Sequence, residues 1–151
     1  MRKTTIGIVL AAVLALSMLA GCGLLNDINQ TVDYVNDTAA YVNETTSFVT
    51  GAAALAEQAV LNEAAREQLR RKLEEMKASI AEFNKKEPPE IAEAIHKQLL
   101  SYNETLQQKL NAYSEQIRGG NWSESLWNGS GIAEAVAPIT ALLDKIKSLN
   151  P

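Results

Sequence analysis

Tyr34-Val35-Asn36-Asp37-Thr38 and Tyr41-Val42-Asn43-Glu44-Thr45 are near copies of one five-residue word, set seven residues apart. The repeat extends on both sides of the two words. Ile28, Val35, Val42 and Val49 share one position, Tyr34, Tyr41, Phe48 and Leu55 the position before it, and Thr31, Thr38 and Thr45 a third. β-branched and aromatic residues of this kind favour strands in isolation. A period of seven decides otherwise, because it keeps one apolar stripe on one face of a helix, and the strict alternation of a half-buried strand is lacking. The repeat therefore predicts helix over residues 26–50.

Downstream, Gly51 is the expected place for that helix to break or bend. The segment from Ala52 to Phe83 is rich in Ala, Glu, Gln and Arg, all strong helix formers. Its apolar face is read as Leu55, Ala59, Leu61, Leu69, Leu73, Met76, Ile80 and Phe83. Lys85 and Lys86 suit a helix C-terminus, and Pro88-Pro89 enforces a stop, with Pro89 opening the next helix. There, Ile91, Ile95, Leu99, Tyr102, Leu106, Leu110, Tyr113 and Ile117 recur every three or four residues until Gly119-Gly120. Asn121 to Gly131 reads as a loop carrying both tryptophans, Trp122 and Trp127. A last helix is expected over residues 132–149, kinked or restarted by Pro138. Short connections favour antiparallel neighbours. The fold class is all-α, an elongated antiparallel helical hairpin or bundle of three to four helices.

Upstream, Arg2 and Lys3 precede an apolar stretch from Ile6 to Ala20 that ends in Leu19-Ala20-Gly21-Cys22. The stretch is shorter than the ~20 residues a membrane-spanning helix needs. Basic flank, short apolar run and small residues before a cysteine read as a bacterial lipoprotein signal peptide. Residues 1–21 are expected to be removed, leaving residues 22–151 as a single helical domain. Cys22, the sole cysteine, is the expected lipidation site. A diacylglyceryl thioether there supplies two acyl chains, enough for stable anchoring where one chain gives marginal binding. The expected location is the extracytoplasmic face of the cell membrane.

Charge narrows the partners. The 130 residues from Cys22 onward carry 12 basic and 18 acidic side chains, and Cys22 to Ala65 holds six acids without one Lys or Arg. Phosphate contacts need a basic patch, so nucleic acid is not an expected partner. Arg70-Arg71-Lys72 is interleaved with Glu67, Glu74 and Glu75 and reads as a solvated helix face.

Catalytic and metal-binding patterns are weak throughout. His96 is the only histidine; it is read as a structural or surface residue within reach of Glu93. One imidazole leaves little from which to build a triad, and the loop serines Ser123, Ser125 and Ser130 form no nucleophile elbow. The six Asn-x-Ser/Thr sequons, at Asn29, Asn36, Asn43, Asn103, Asn121 and Asn128, are not read as glycosylated. Three of them follow from the seven-residue repeat, and the signal is bacterial. No enzyme, metal or cofactor is expected. Trp122 and Trp127 remain the candidate contact residues for a partner or ligand, since exposed Trp is enriched at binding hot spots, against the plainer reading that they cap the bundle.

The chain resembles a family of small uncharacterised lipoproteins of Bacillus-type, single-membrane bacteria. The resemblance runs through Tyr34-Val35-Asn36, Tyr41-Val42-Asn43-Glu44, Glu82-Phe83-Asn84, Pro88-Pro89-Glu90-Ile91-Ala92, His96 and Ser101-Tyr102-Asn103-Glu104. It covers most of the mature domain, although residues 51–65 are richer in alanine than that family leads one to expect. It implies the outer face of the cytoplasmic membrane and carries no assigned activity. The expected role is a non-enzymatic interaction or structural module at the cell envelope, with an envelope protein or a second copy as partner. The alternative is an accessory lipoprotein that captures a small molecule or glycan between helices near Trp122 and Trp127. An envelope hydrolase or its inhibitor is a third, weaker class.

Overall fold

The seven-residue repeat folds as helix, within α1 (Arg2–Ala59). The structure, a computed structural model, describes the backbone of residues 2–150 and the side chains of residues 27–150. The side chains of the expected signal peptide, residues 1–21, and of Cys22 lie outside those described. All three positions of the repeat are buried where the words are strongest: Tyr34 and Tyr41, Val35 and Val42, and Thr31, Thr38 and Thr45. The threonine position then continues as Ala52 and Ala59, both fully buried. A broad stripe of this kind faces several neighbouring helices at once.

Gly51 does not interrupt α1; the chain turns at Val60-Leu61. The stop is built by α2 (Glu63–Phe83), whose N-cap Asn62 accepts hydrogen bonds from the Ala64 and Ala65 amides. From its first turn, Arg66 reaches back to donate to the Ala59 and Val60 carbonyls at 2.6 and 2.8 Å. One side chain thus satisfies carbonyls that the end of α1 leaves without helical partners. The helix tolerates Gly51 because the loss of propensity is only about 1 kcal/mol. The absent Cβ also leaves room for Lys72, whose Cε lies where that atom would be crowded at 2.8 Å.

α2 runs antiparallel to α1. Lys86, just past α2, pairs with Asp37 at 2.6 Å, Ser79 donates to Glu44 at 3.0 Å, and Lys72 crosses Gly51, so partners on α1 rise in number as those on the second arm of the hairpin fall. After Pro88-Pro89, a single 3-10 turn (Glu90–Ala92) leads into α3 (Glu93–Arg118). α3 ends where Gly120, at φ +87°, lets its own amide and that of Asn121 turn back to the Ile117 and Gln116 carbonyls. The expected loop contains a short helix, α4 (Glu124–Asn128), N-capped by Ser123. The last expected helix is two: α5 (Ile132–Thr140), which starts from Gly131 at φ +72°, and α6 (Leu143–Lys147). The restart comes after Pro138 rather than at it, since a proline removes its own amide yet the helix around it persists for two more residues.

α5 and α6 fill the fourth position of an up-down-up-down bundle, α5 packed on both α1 and α3 and α6 on α1. Leu69, Leu99, Leu106, Leu110, Ile132 and Ile139 are wholly buried at its centre. Each such side chain contributes on the order of 1.5–3 kcal/mol. Two residues expected on apolar helix faces are instead exposed: Leu61 (94% exposed) and Ile91 (62% exposed). Both fall in connections, where the chain has left the helical phase that the spacing assumed. Among the described residues there is no strand, and no helix long and apolar enough to cross a membrane.

Candidate functional site

The structure separates the two tryptophans. Trp127, on α4, is buried between Tyr113 of α3 and Phe48 of α1, meeting each edge to face at ring-centroid distances of 5.4 and 6.4 Å. Burial pushes the Tyr113 phenol up to about 12. Such T-shaped pairs add about 0.5–1.5 kcal/mol beyond the area they bury. Trp127 therefore closes one end of the core and offers little surface to a partner.

Trp122 lies half-buried outside that core, with the guanidinium carbons of Arg66 and Arg70 at 5.3 and 5.1 Å from its ring centroid. Each cation over an exposed ring is worth about 0.5–1 kcal/mol. Arg66 thus works twice, on the end of α1 and on the tryptophan loop, and ties the two connections at this end together. Leu61, in the turn between α1 and α2 that Arg66 caps, is almost fully exposed. The distal end so formed combines one bare aliphatic side chain, one half-covered indole and two guanidinium groups.

His96 lies inside the bundle. Its Nδ1 is 3.0 Å from the Tyr34 hydroxyl, and Phe83 tilts against the imidazole at a centroid distance of 5.5 Å. Glu93, within reach by sequence, pairs instead with Lys97 at 3.2 Å. Burial lowers the histidine pKa below the usual 6.5, because a charged imidazole loses its hydration there. One helical period along, the Tyr41 hydroxyl donates to Asn103 Oδ1, and Asn103 Nδ2 donates to Asn84 Oδ1 at 2.8 Å. Tyr41 also stacks on Phe83 at 4.2 Å. Burial raises the pKa of both tyrosines. These groups satisfy one another and bind helix to helix; on their outer side Tyr41 and Phe83 border a groove of about 400 Å³ and Tyr34 one of about 370 Å³. Periodicity could not reveal this network: Asn103 and His96 look like solvent-facing residues until the width of the α3 face is known. Thr38 Oγ1, buried in the same region, has no hydrogen-bond partner among the described residues.

The end opposite Trp122 carries a groove of about 930 Å³, lined by Asp27, Ile28 and Thr31 of α1, Pro89 to Ile91, and Ser148 to Asn150. Neither tryptophan borders it. Among the described residues, no three His, Cys, Asp or Glu side chains converge as a metal-binding group.

No solved structure matches this chain. Across 142 residues it is 31% identical to the uncharacterized lipoprotein YybP of Bacillus subtilis (strain 168), covering 94% of this chain and 95% of that protein. The resemblance read from the tyrosine repeat and the Pro-Pro segment is borne out by that relative. The family match spans residues 34–149, from the first tyrosine of the repeat to the end of the bundle, and the chain belongs to the Family of unknown function (DUF6376).

Proposed function

We propose that this protein is a lipid-anchored, non-enzymatic interaction module on the extracytoplasmic face of the cell membrane, with the distal end of its bundle as the contact surface. The observation that carries the reading is the placement of Leu61 and Trp122 together at the end of the bundle farthest along α1 from Cys22. From Asp27 to Ala59, α1 extends roughly 50 Å at ~1.5 Å per residue. An anchor at Cys22 holds that end well clear of the headgroups. The lipoprotein relative and the Leu-Ala-Gly-Cys segment support the anchor. The use of the sole imidazole as a core hydrogen-bond partner supports a non-catalytic role.

Two experiments test this reading. Cys22→Ala is expected to release the protein from the membrane fraction; retention at the parental level removes the lipid anchor. Photo-crosslinkers at positions 61 and 122 in living cells are expected to yield a discrete protein adduct, or self-adducts if the partner is a second copy. Their absence from both positions, with a surface crosslinker elsewhere reporting normal expression, removes the contact surface.

A further inference from the structure

Ile28, Leu61 and Ile91 are the large hydrophobic side chains that stand exposed among the described residues, and two of the three share one end of the bundle. Ile28 and Ile91 border the groove at that end, together with Pro89 and the partly buried Leu149. The same end is where the chain arrives from Cys22, through Gly23-Leu24-Leu25-Asn26-Asp27. That connection is short in any conformation. As helix, Cys22 to Ile28 spans about 9 Å; fully stretched, it reaches at most about 20 Å. An acylated Cys22 therefore keeps the apolar end within a bundle diameter of the bilayer.

We propose that this end, built on Ile28, Ile91 and Leu149, rests on the headgroup–acyl boundary of the membrane that holds the lipid on Cys22. The proposal rests on the anchor reading given above. Contact of this kind removes exposed apolar surface from water, and the attachment holds the surface in place at high effective concentration. Asp27 and Glu90, which line the same groove, oppose attraction to anionic headgroups, so the contact is apolar rather than electrostatic. It fixes the long axis of the bundle along the membrane normal. A bundle hinged freely at Cys22 would instead sweep its distal end across the surface.

The test uses the full lipidated chain, with Glu87→Cys as the reporter beside the groove and Leu61→Cys as the distal control. In each variant the new thiol is labelled with an environment-sensitive fluorophore, the Cys22 sulfur being occupied by its thioether. The proteins are reconstituted into phosphatidylcholine vesicles, some carrying a quencher at the upper acyl chain. Quenching is expected at position 87 and not at position 61. Adding Ile91→Asp is expected to reduce the signal at position 87 to the distal level. Quenching at 87 that is unchanged by Ile91→Asp overturns the proposal, because closeness alone then explains it. Equal quenching at both positions also overturns it, since the bundle then lies flat. A chain that fails to float with the vesicles overturns the anchor reading itself, and is told apart by flotation before any fluorescence is read.

Discussion

The two halves of the bundle are held by different chemistry on the same four helices. In the half nearer Cys22, Tyr34, Tyr41, His96, Asn103 and Asn84 meet through side-chain hydrogen bonds, and Thr31, Thr38 and Thr45 line the seam. In the distal half, Ala52, Ala56 and Ala59 replace the threonine and valine positions, and the polar pairs give way to Phe48, Tyr113 and Trp127. Small residues on α1 let neighbouring helices approach closely, so the distal half depends on shape and area. The proximal half depends on direction, because a buried hydrogen bond tolerates little displacement. The distal half should therefore lose most from truncation and the proximal half most from an orphaned partner.

The largest expected effect lies in the distal half. Trp127→Ala should cost about 3–5 kcal/mol, as aromatic truncations in well-packed cores do. Chemical denaturation of the soluble domain checks this, and a cost under about 1 kcal/mol would break the picture of an area-driven end. Next comes the proximal network, where Asn103→Ala leaves the Tyr41 hydroxyl and the Asn84 amide without their partner, at about 1–3 kcal/mol. A Tyr41→Phe, Asn103→Ala double-mutant cycle sharpens the result, since coupled partners give a non-additive sum. Arg66→Ala should cost about 1–2 kcal/mol by uncapping α1 and freeing one face of Trp122. It should also increase hydrogen exchange at the 60–62 turn.

Thr38→Val tests the opposite sign. Removing a buried hydroxyl that has no partner should stabilise the proximal half by up to about 1 kcal/mol, read as a higher denaturation midpoint. The gentlest perturbation is pH. The folded state holds His96 neutral below its usual 6.5, so the unfolded chain takes up that proton first as pH falls. Stability should be level above that value, decline as pH drops through the window below it, and level off once the folded imidazole is also charged. Carboxylates add their own slope at lower pH, so the histidine component is the difference from His96→Gln. Identical profiles for the two proteins would remove the buried-imidazole account.

Those two halves also differ in how much the sequence disclosed. The heptad words predicted a helix and placed Tyr34, Val35, Tyr41 and Val42 on its buried face, as found. The same spacing on α3 identified Leu99, Leu106, Leu110 and Ile117. Helix boundaries were less legible, because Gly51 is a visible breaker whereas the actual turn is made by Asn62 capping α2 and by Arg66 reaching back seven residues to Ala59. The exposure of Leu61 and Ile91 was hidden for the same reason. Of the candidate contact residues, only the three-dimensional arrangement separates Trp122 from Trp127, since both sit in one polar stretch and differ only in which helices reach them.

Near-identical words on α1 carry an ambiguity that α3 resolves. A helix repeating Tyr-Val-Asn every seven residues could slide by one period against a uniform apolar partner and bury almost the same area. α3 is not uniform at the facing positions: His96 answers Tyr34, Asn103 answers Tyr41, and Leu110, one period further, lies in the core that Phe48 enters. Sliding α3 one step either sets the Asn103 amide against Phe48 or leaves the Tyr41 hydroxyl facing Leu110, and each strands a buried polar group. The three dissimilar residues on α3 thus read a repetitive message as a single address, much as a key with unequal teeth fits a row of similar pins in one position only.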